Sequence, residues 1–165
     1  EISECLVGSE MCIETGVYLY KGKKLAKSVD TTKRTLTFKK LSKGTGYKIV
    51  VKAYKTIDGK KSLSLVSKEL LTATKLSAPT SVKVKAGKKR AIISWTKDKS
   101  ANSYTVYYST NKNSGFKKLT VIKNSADIKK LTSGKTYYFK VVANKKVGKA
   151  AVASDCSKLV SAKIK

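Results

Sequence analysis

The chain contains no histidine. That removes the commonest general base and the commonest metal ligand at neutral pH, and with them any Ser-His or Cys-His nucleophile. Arginine is almost missing as well. Arg34 and Arg90 are the only two, so lysine supplies the other 35 of the 37 basic residues. Forked guanidinium groups, which clamp phosphates and base edges bidentately, are scarce, and specific nucleic-acid recognition is not expected. Acidic residues number ten and leave a net charge of +27. The six beyond residue 15 are Asp30, Asp58, Glu69, Asp98, Asp127 and Asp155. They fall on turns and strand ends, as short polar residues favour, rather than in the converging pair that glycoside hydrolysis requires. No apolar run reaches the 18 residues of a membrane-spanning helix, so membrane insertion is not expected. No stretch reads as a signal peptide, a phosphate-binding glycine loop or a nucleophile elbow. The sequence is therefore read as non-enzymatic, with no catalytic residue, cofactor or metal site.

What the chain does have is a repeat. Leu131-Thr132-Ser133-Gly134-Lys135-Thr136-Tyr137 runs into Tyr138-Phe139-Lys140-Val141-Val142-Ala143. Ninety residues earlier, Leu41-Ser42-Lys43-Gly44-Thr45-Gly46-Tyr47 runs into Lys48-Ile49-Val50-Val51-Lys52-Ala53. Both read Leu-x-x-Gly-x-x-Tyr followed by alternating apolar positions, the period of a strand. The physics is that of a corner between two sheets. The leucine plugs the core, the glycine takes a bend where positive φ costs little, and the tyrosine opens the next strand with its hydroxyl free to bond upstream backbone. The motif resembles the tyrosine corner of the fibronectin type III family. The resemblance covers residues 16–165 and implies an all-β chain of two tandem fibronectin type III-like, immunoglobulin-like β-sandwiches. Forty-one per cent apolar residues suffice for packed cores of this size.

Along the chain, Val17–Tyr20, Leu25–Val29, Thr35–Phe38, Tyr47–Tyr54 and Leu70–Lys75 read as strands. On Tyr47–Tyr54 the alternation places Tyr47, Ile49, Val51 and Ala53 on one face. Thr56–Lys61 reads as a hairpin loop around Asp58-Gly59. In family terms these are strands C to G, with A and B missing, so residues 16–76 are expected to form a domain truncated at its N-terminus. Pro79, the only proline, ends pairing within Leu76-Ser77-Ala78-Pro79-Thr80, and the family places an Ala-Pro pair at the start of a domain. Residues 77–165 are expected to be complete. Val82 and Val84 begin them, and Ala86-Gly87-Lys88 turns into Ala91, Ile93 and Trp95. Tyr104, Val106 and Tyr108 alternate next, followed by Phe116–Ile122 and Ala126–Ile128. After the corner come Tyr137, Phe139, Val141 and Ala143, then a final strand ending in Leu159–Ile164. The resemblance implies that Trp95, the only tryptophan, lies between the sheets. The structural residues expected from the motif are thus Trp95, Leu131, Gly134 and Tyr137, with Leu41, Gly44 and Tyr47 in the first copy.

Residues 1–15 differ from the rest. They hold four of the ten acidic residues, two of the three cysteines (Cys5 and Cys12), the only methionine and no lysine. Cys5–Ile13 is similar to the translation of a transposase adapter used in preparing sequencing libraries, and the segment is expected to be non-native. Residues 16–165 then carry +31 and one cysteine, Cys156, read as a small buried hydrophobe. Had the segment a strand-like role, Cys5-Leu6-Val7 and Met11-Cys12-Ile13 are apolar enough to pair opportunistically with an uncovered sheet.

Two functions remain. The first is a non-catalytic structural or spacer module of a larger extracellular or cell wall-associated protein, with flanking domains; the lysine-rich variety resembles modules of Gram-positive surface and secreted proteins. The alternative is a binding module for an anionic cell-wall polymer such as teichoic acid, a glycan, or an acidic protein. Lysines on alternate strand positions suit a solvated face and protected sheet edges, and also attraction to a polyanion. Of nine tyrosines, Tyr47, Tyr104, Tyr108 and Tyr137 are placed inward, whereas Tyr18, Tyr20, Tyr107 and Tyr138 are free to face out.

Overall fold

A computed structural model describes residues 13–57 and 60–165. The described residues form thirteen strands and no helix. They divide into two units, one comprising residues up to Leu41 with Gly46–Thr72, the other Ser42–Thr45 with Ala73–Lys165. The fold is all-β.

The first unit is a single antiparallel sheet among the described residues. Its strands are β1 (Ile13–Lys21), β2 (Lys24–Thr31), β3 (Gly46–Ile57), β4 (Lys60–Leu63) and β5 (Leu70–Ala73). The order is β2-β1-β3-β4, with β5 also on β3. β1 begins at Ile13 opposite Lys55, so Ile13, Glu14 and Thr15 take part in the ladder. The expected pairing of Cys5–Val7 and Met11–Cys12, like the adapter reading of residues 1–12, lies outside the described residues. Thr35–Phe38 forms no strand, contrary to expectation. Its counterpart in the second unit, β10, is held by β7, and no strand equivalent to β7 exists in the first unit among the described residues. Thr56 pairs with Lys61 and Ile57 with Lys60, so four residues expected in the loop are in the ladder; Asp58 and Gly59 lie outside the described residues.

The second unit has two sheets. One holds β6 (Lys83–Gly87), β7 (Arg90–Ser94) and β10 (Ser125–Lys129) in the order β10-β7-β6. The other holds β8 (Ser103–Ser109), β9 (Lys117–Val121), β11 (Thr136–Val147), β12 (Ala150–Ala153) and β13 (Val160–Lys163), in the order β12-β11-β8-β9 with β13 on β11. The period-2 pattern is followed closely. Ala91, Ile93, Ala126 and Ile128 of the first sheet meet Tyr104, Val106, Phe139, Val141 and Ala143 of the second in one core. Trp95 is buried there, its ring edge-on to Tyr104 at 5.2 Å. Leu76, from the boundary segment, is buried in the same core.

Residues after each long strand carry a device that alternation does not show. Ser154 donates its N–H to Ala143 O, accepts the Ala143 N–H on Oγ at 2.9 Å and donates Oγ–H to Asp155 O. Ser157 does the same with Val141 and Lys158. Ninety residues earlier, Ser64 repeats this with Ala53 and Leu65, and Ser67 with Val51 and Lys68. A hydroxyl thus stands in for a backbone carbonyl, and the last strand splits into β4 and β5 in one copy and β12 and β13 in the other. The expectation that Cys156 is buried fails for this reason. Ser154 and Ser157 turn inward to the ladder, and Cys156 between them is exposed.

Candidate interaction surface

The motif residues fall where a corner needs them. Leu131 is buried, with its N–H donated to Lys89 O at 3.0 Å. Gly134 has φ +77° and donates its N–H to Ile164 O. Tyr137 accepts the Thr132 N–H at 3.2 Å, and its hydroxyl reaches Thr132 Oγ1 at 3.4 Å. The side-chain and then the backbone bond of Thr132 hold the Tyr137 phenol below its ordinary pKa. In the first copy, Tyr47 is buried and Leu41 half-buried. Gly44, in the Ser42–Thr45 segment of the second unit, has φ +58° and donates to Lys75 O at 3.0 Å. The lysine before each corner leucine, Lys40 and Lys130, also adopts positive φ, near +56° and +59°. That conformation is unusual for a residue with a Cβ.

The surface chemistry lies on the opposite faces. β11 pairs with β8 so that Val141 faces Val106 and Lys140 faces Tyr107. β1 pairs with β3 so that Leu19 faces Ile49 and Tyr18 faces Val50. Counting from the two corner tyrosines, Tyr18 and Tyr107 occupy the same register. Each lies on the face away from the corner tyrosine and carries a lysine ammonium above its ring. Lys52 stands 5.9 Å from the Tyr18 centroid and Lys140 stands 5.9 Å from that of Tyr107. Lys140 also stands 4.3 Å from the Phe116 centroid. In the first unit, Lys48 covers Tyr20 at 5.4 Å and Lys61 covers Tyr54 at 4.0 Å.

This explains a reversed burial on β3. Alternation puts Tyr47, Ile49, Val51 and Ala53 inward, yet only Tyr47 of these is fully buried, whereas Val50 and Tyr54 on the other face are buried. Lysine stems and tyrosine rings lie flat on that face and cover it. Gly16 permits this, since a Cβ there would come within 2.9 Å of the Tyr18 ring. Tyr54 donates its hydroxyl to the Glu14 carboxylate, which pushes the phenol up to about 12. Lys61 reaches across to Asp30 at 2.8 Å, and that bond holds the Asp30 carboxyl below, and the ammonium above, its ordinary range. Lys48 pairs with Glu69 at 2.7 Å. The tyrosine–lysine face of the first unit is thus partly neutralised by its own carboxylates.

The second unit differs. The outer face of its five-stranded sheet carries Tyr107, Tyr138, Lys118 and Lys140, and among the described residues neither lysine has a carboxylate within 4 Å. No group of three acidic or cysteine side chains is placed to hold a metal among the described residues. No helix there is long and apolar enough to cross a membrane.

Two sheets packed face to face, closed by a tyrosine corner, define an immunoglobulin-like sandwich module. The family profile of the fibronectin type III domain matches residues 77–155. Comparison with curated proteins gives no match. Among solved structures, the chain is similar to a two-domain fibronectin type III segment of chicken tenascin, with 17% identity, 95% of this chain and 87% of that one covered, and a TM-score of 0.56. It is also similar to the FN1–FN3 domains of chicken CNTN1, with 20% identity over 93% of this chain and a TM-score of 0.51. The chain spans about half, 54%, of that structure's length. At these identities the likeness is one of fold. Sandwich modules of this kind are common in cell-surface and extracellular proteins and are in general non-catalytic.

Proposed function

We propose that the chain is a non-catalytic spacer of a larger extracellular or wall-associated protein, in which flanking domains carry the activity. The observation behind this is the treatment of sheet edges. The edge strands β2, β4, β6, β9, β10 and β13 carry lysines, β5 and β12 carry none but are only four residues long, and the serine pairs break the last strand of each copy. Charge and kinks on edges suppress edge-to-edge pairing, which an array of adjacent sandwiches needs. On the same reading the lysine-rich composition places the parent protein among Gram-positive surface or secreted proteins. Residues 1–15 are adapter-derived on this reading. Recovery of the uninterrupted gene tests all of these. Catalytic or anchoring domains on either side, and strands A and B upstream of residue 16, are the expected result. A stand-alone secreted product overturns it.

A second reading has its own support in the lysines that stand over aromatic rings on the outer sheet faces. The module also attracts anionic polymers of the cell wall. Retention on an anionic matrix should be strong at low salt and fall steeply as the Debye length shrinks below roughly 10 Å near 0.1 M. Absence of retention at low salt refutes this reading and leaves the spacer role standing.

A further inference from the structure

We infer that the outer face of the second unit's larger sheet is a binding strip for an anionic polysaccharide, lying along β11 from Lys140 to Asn144. The inference rests on the polyanion reading and locates it. Three features of the face converge. First, Lys140 is fixed between two rings, Phe116 at 4.3 Å and Tyr107 at 5.9 Å. An ammonium already held in place loses little side-chain entropy when it meets an anion. Lys118 lies opposite Tyr107 on the next strand and adds a second positive charge. Second, polar groups lie further along the same face, Thr105 of β8 opposite Val142 and Asn144 four residues beyond Lys140. Asn144 Nδ2 donates to Thr105 Oγ1 at 2.9 Å, and Thr105 Oγ1 lies 3.4 Å from Thr120 Oγ1. These three line a shallow groove of about 380 Å³ with Asn102, Lys145 and Lys146. Its walls are fixed from behind, since Asn102 Oδ1 accepts the Lys146 N–H at 2.7 Å and Lys145 Nζ donates to Ser100 O at 2.9 Å. Third, Lys140 and Lys118 are free of ion pairs among the described residues, unlike Lys48 and Lys61 in the first unit.

Four residues of strand separate Lys140 from Asn144 by about 14 Å. An occupant must therefore be extended, anionic at one point and rich in hydroxyls at the next. A sugar chain bearing carboxylates or phosphates meets both needs: its hydroxyls suit the amide and threonine row, and its charge suits the held ammonium. Single-stranded nucleic acid suits the face less, because bases need open ring faces on which to stack. Lys140 stands over those of Tyr107 and Phe116, which leaves Tyr138 as the one ring of this face with no lysine above it among the described residues.

The test uses the full chain and polygalacturonate as probe, with neutral dextran and an oligothymidylate alongside. Lys140→Gln and the double variant Lys140→Gln/Asn144→Ala are compared with Lys83→Gln/Lys85→Gln. The last removes two charges from β6 in the other sheet and leaves the strip intact. Native Trp95 emission verifies folding of each, and the single Lys140→Gln change keeps the test open should Asn144→Ala unfold. The expected result is polygalacturonate binding that weakens about tenfold in the double variant, as losing a charge-assisted bond implies, and less than about twofold in the β6 variant, as a screened exposed charge implies. Equal losses in both variants overturn the strip while leaving diffuse polyanion attraction. Oligothymidylate bound as tightly as polygalacturonate, with the same dependence on Lys140, overturns the glycan assignment. Absence of polygalacturonate binding at low salt overturns strip and polyanion reading together.

Discussion

Replacing Tyr137 by phenylalanine removes one oxygen from the corner and leaves the ring, so it isolates what the hydroxyl does. The hydroxyl accepts the Thr132 N–H at 3.2 Å and reaches Thr132 Oγ1 at 3.4 Å. Both contacts are long for their kind and near the surface, so water can replace part of what is lost. A net contribution at the lower end of about 0.5–1.5 kcal/mol is expected. Trp95 is the only tryptophan and is 3% exposed in the second unit's core, so its fluorescence reports that unit alone. With a urea slope of about 1–3 kcal/mol per molar, the midpoint should fall by roughly 0.2–0.5 M with the slope unchanged. pH provides a second axis. The folded-state pKa of Tyr137 is lowered, so the folded chain releases this proton before the unfolded one does. The extra stability it confers is present above the ordinary value near 10 and is lost as pH falls through the lowered value. The difference between wild type and Tyr137→Phe should therefore be larger above pH 10 than at pH 7. An unchanged midpoint at pH 7, alongside a large drop for Leu131→Ala, would show that the tyrosine acts only through its ring.

Four further outcomes rest on the same structure. Tyr54 should behave in the opposite sense to Tyr137: its folded pKa is raised to about 12 by the bond to Glu14, so its contribution is complete below the ordinary value near 10 and is lost as pH climbs towards 12. Tyrosinate absorbance should show a late-ionising phenol that vanishes in Tyr54→Phe, and an unchanged titration curve refutes it. Residues 77–165 alone should fold, but less stably than 73–165, because Leu76 is buried in that core and deleting such a side chain costs about 2–5 kcal/mol. Residues 16–76 alone should be unfolded or aggregate, and a cooperative melt of that fragment would contradict the incomplete-sheet argument. Finally, Gly44→Ala should cost more than Gly134→Ala in urea melts followed by Trp95. Both have positive φ, but a Cβ at Gly44 meets Ser100 Cβ at 2.8 Å whereas one at Gly134 meets nothing within 4 Å; equal costs would mean that backbone strain alone matters.

The strands of the second unit were legible because each buries one face against another sheet, which forces strict alternation: Ala91, Ile93, Tyr104, Val106, Phe139 and Val141 are all expected inward and all buried. The first unit was less legible for the converse reason. Its described residues form one sheet, so nothing enforces alternation. Val50 and Tyr54 bury themselves under lysine stems while Leu65 remains 94% exposed. Thr35–Phe38 reads as a strand by composition, but a strand exists only where a partner offers its ladder. The serine pairs and the positive φ of Lys40 and Lys130 were invisible to period-2 reading, because they act through the backbone. Their signal was present all the same in the 90-residue offset, which carries Ser64 and Ser67 onto Ser154 and Ser157 and Lys40 onto Lys130. The outward ring pair Tyr18 and Tyr107 was legible as a direction, while the lysines above them were not, since they come from β3 and β11.

The two copies retain the same backbone devices and differ in what they show to solvent. The site of Lys140 in the second unit is held by Val50 in the first, and the lysine over the equivalent ring there is Lys52, two pairs along the ladder on the same face. The first face then adds Glu14, Asp30 and Glu69, whose bonds to Tyr54, Lys61 and Lys48 tie its polar groups to one another. Apart from Lys52, which stands over Tyr18 with no carboxylate partner among the described residues, an anion meeting these lysines must first displace an internal partner. The second face has no such internal claim on Lys140 or Lys118 among the described residues. Fold maintenance and surface charge are thus separable in this chain. Corner, glycine and serine pairs fix the sandwich from one face of each long strand, and the other face is free to vary between an inert wall and a charged strip. A spacer and a binding module need not be rival descriptions on this account, since the two proposals call on different residues of the second unit.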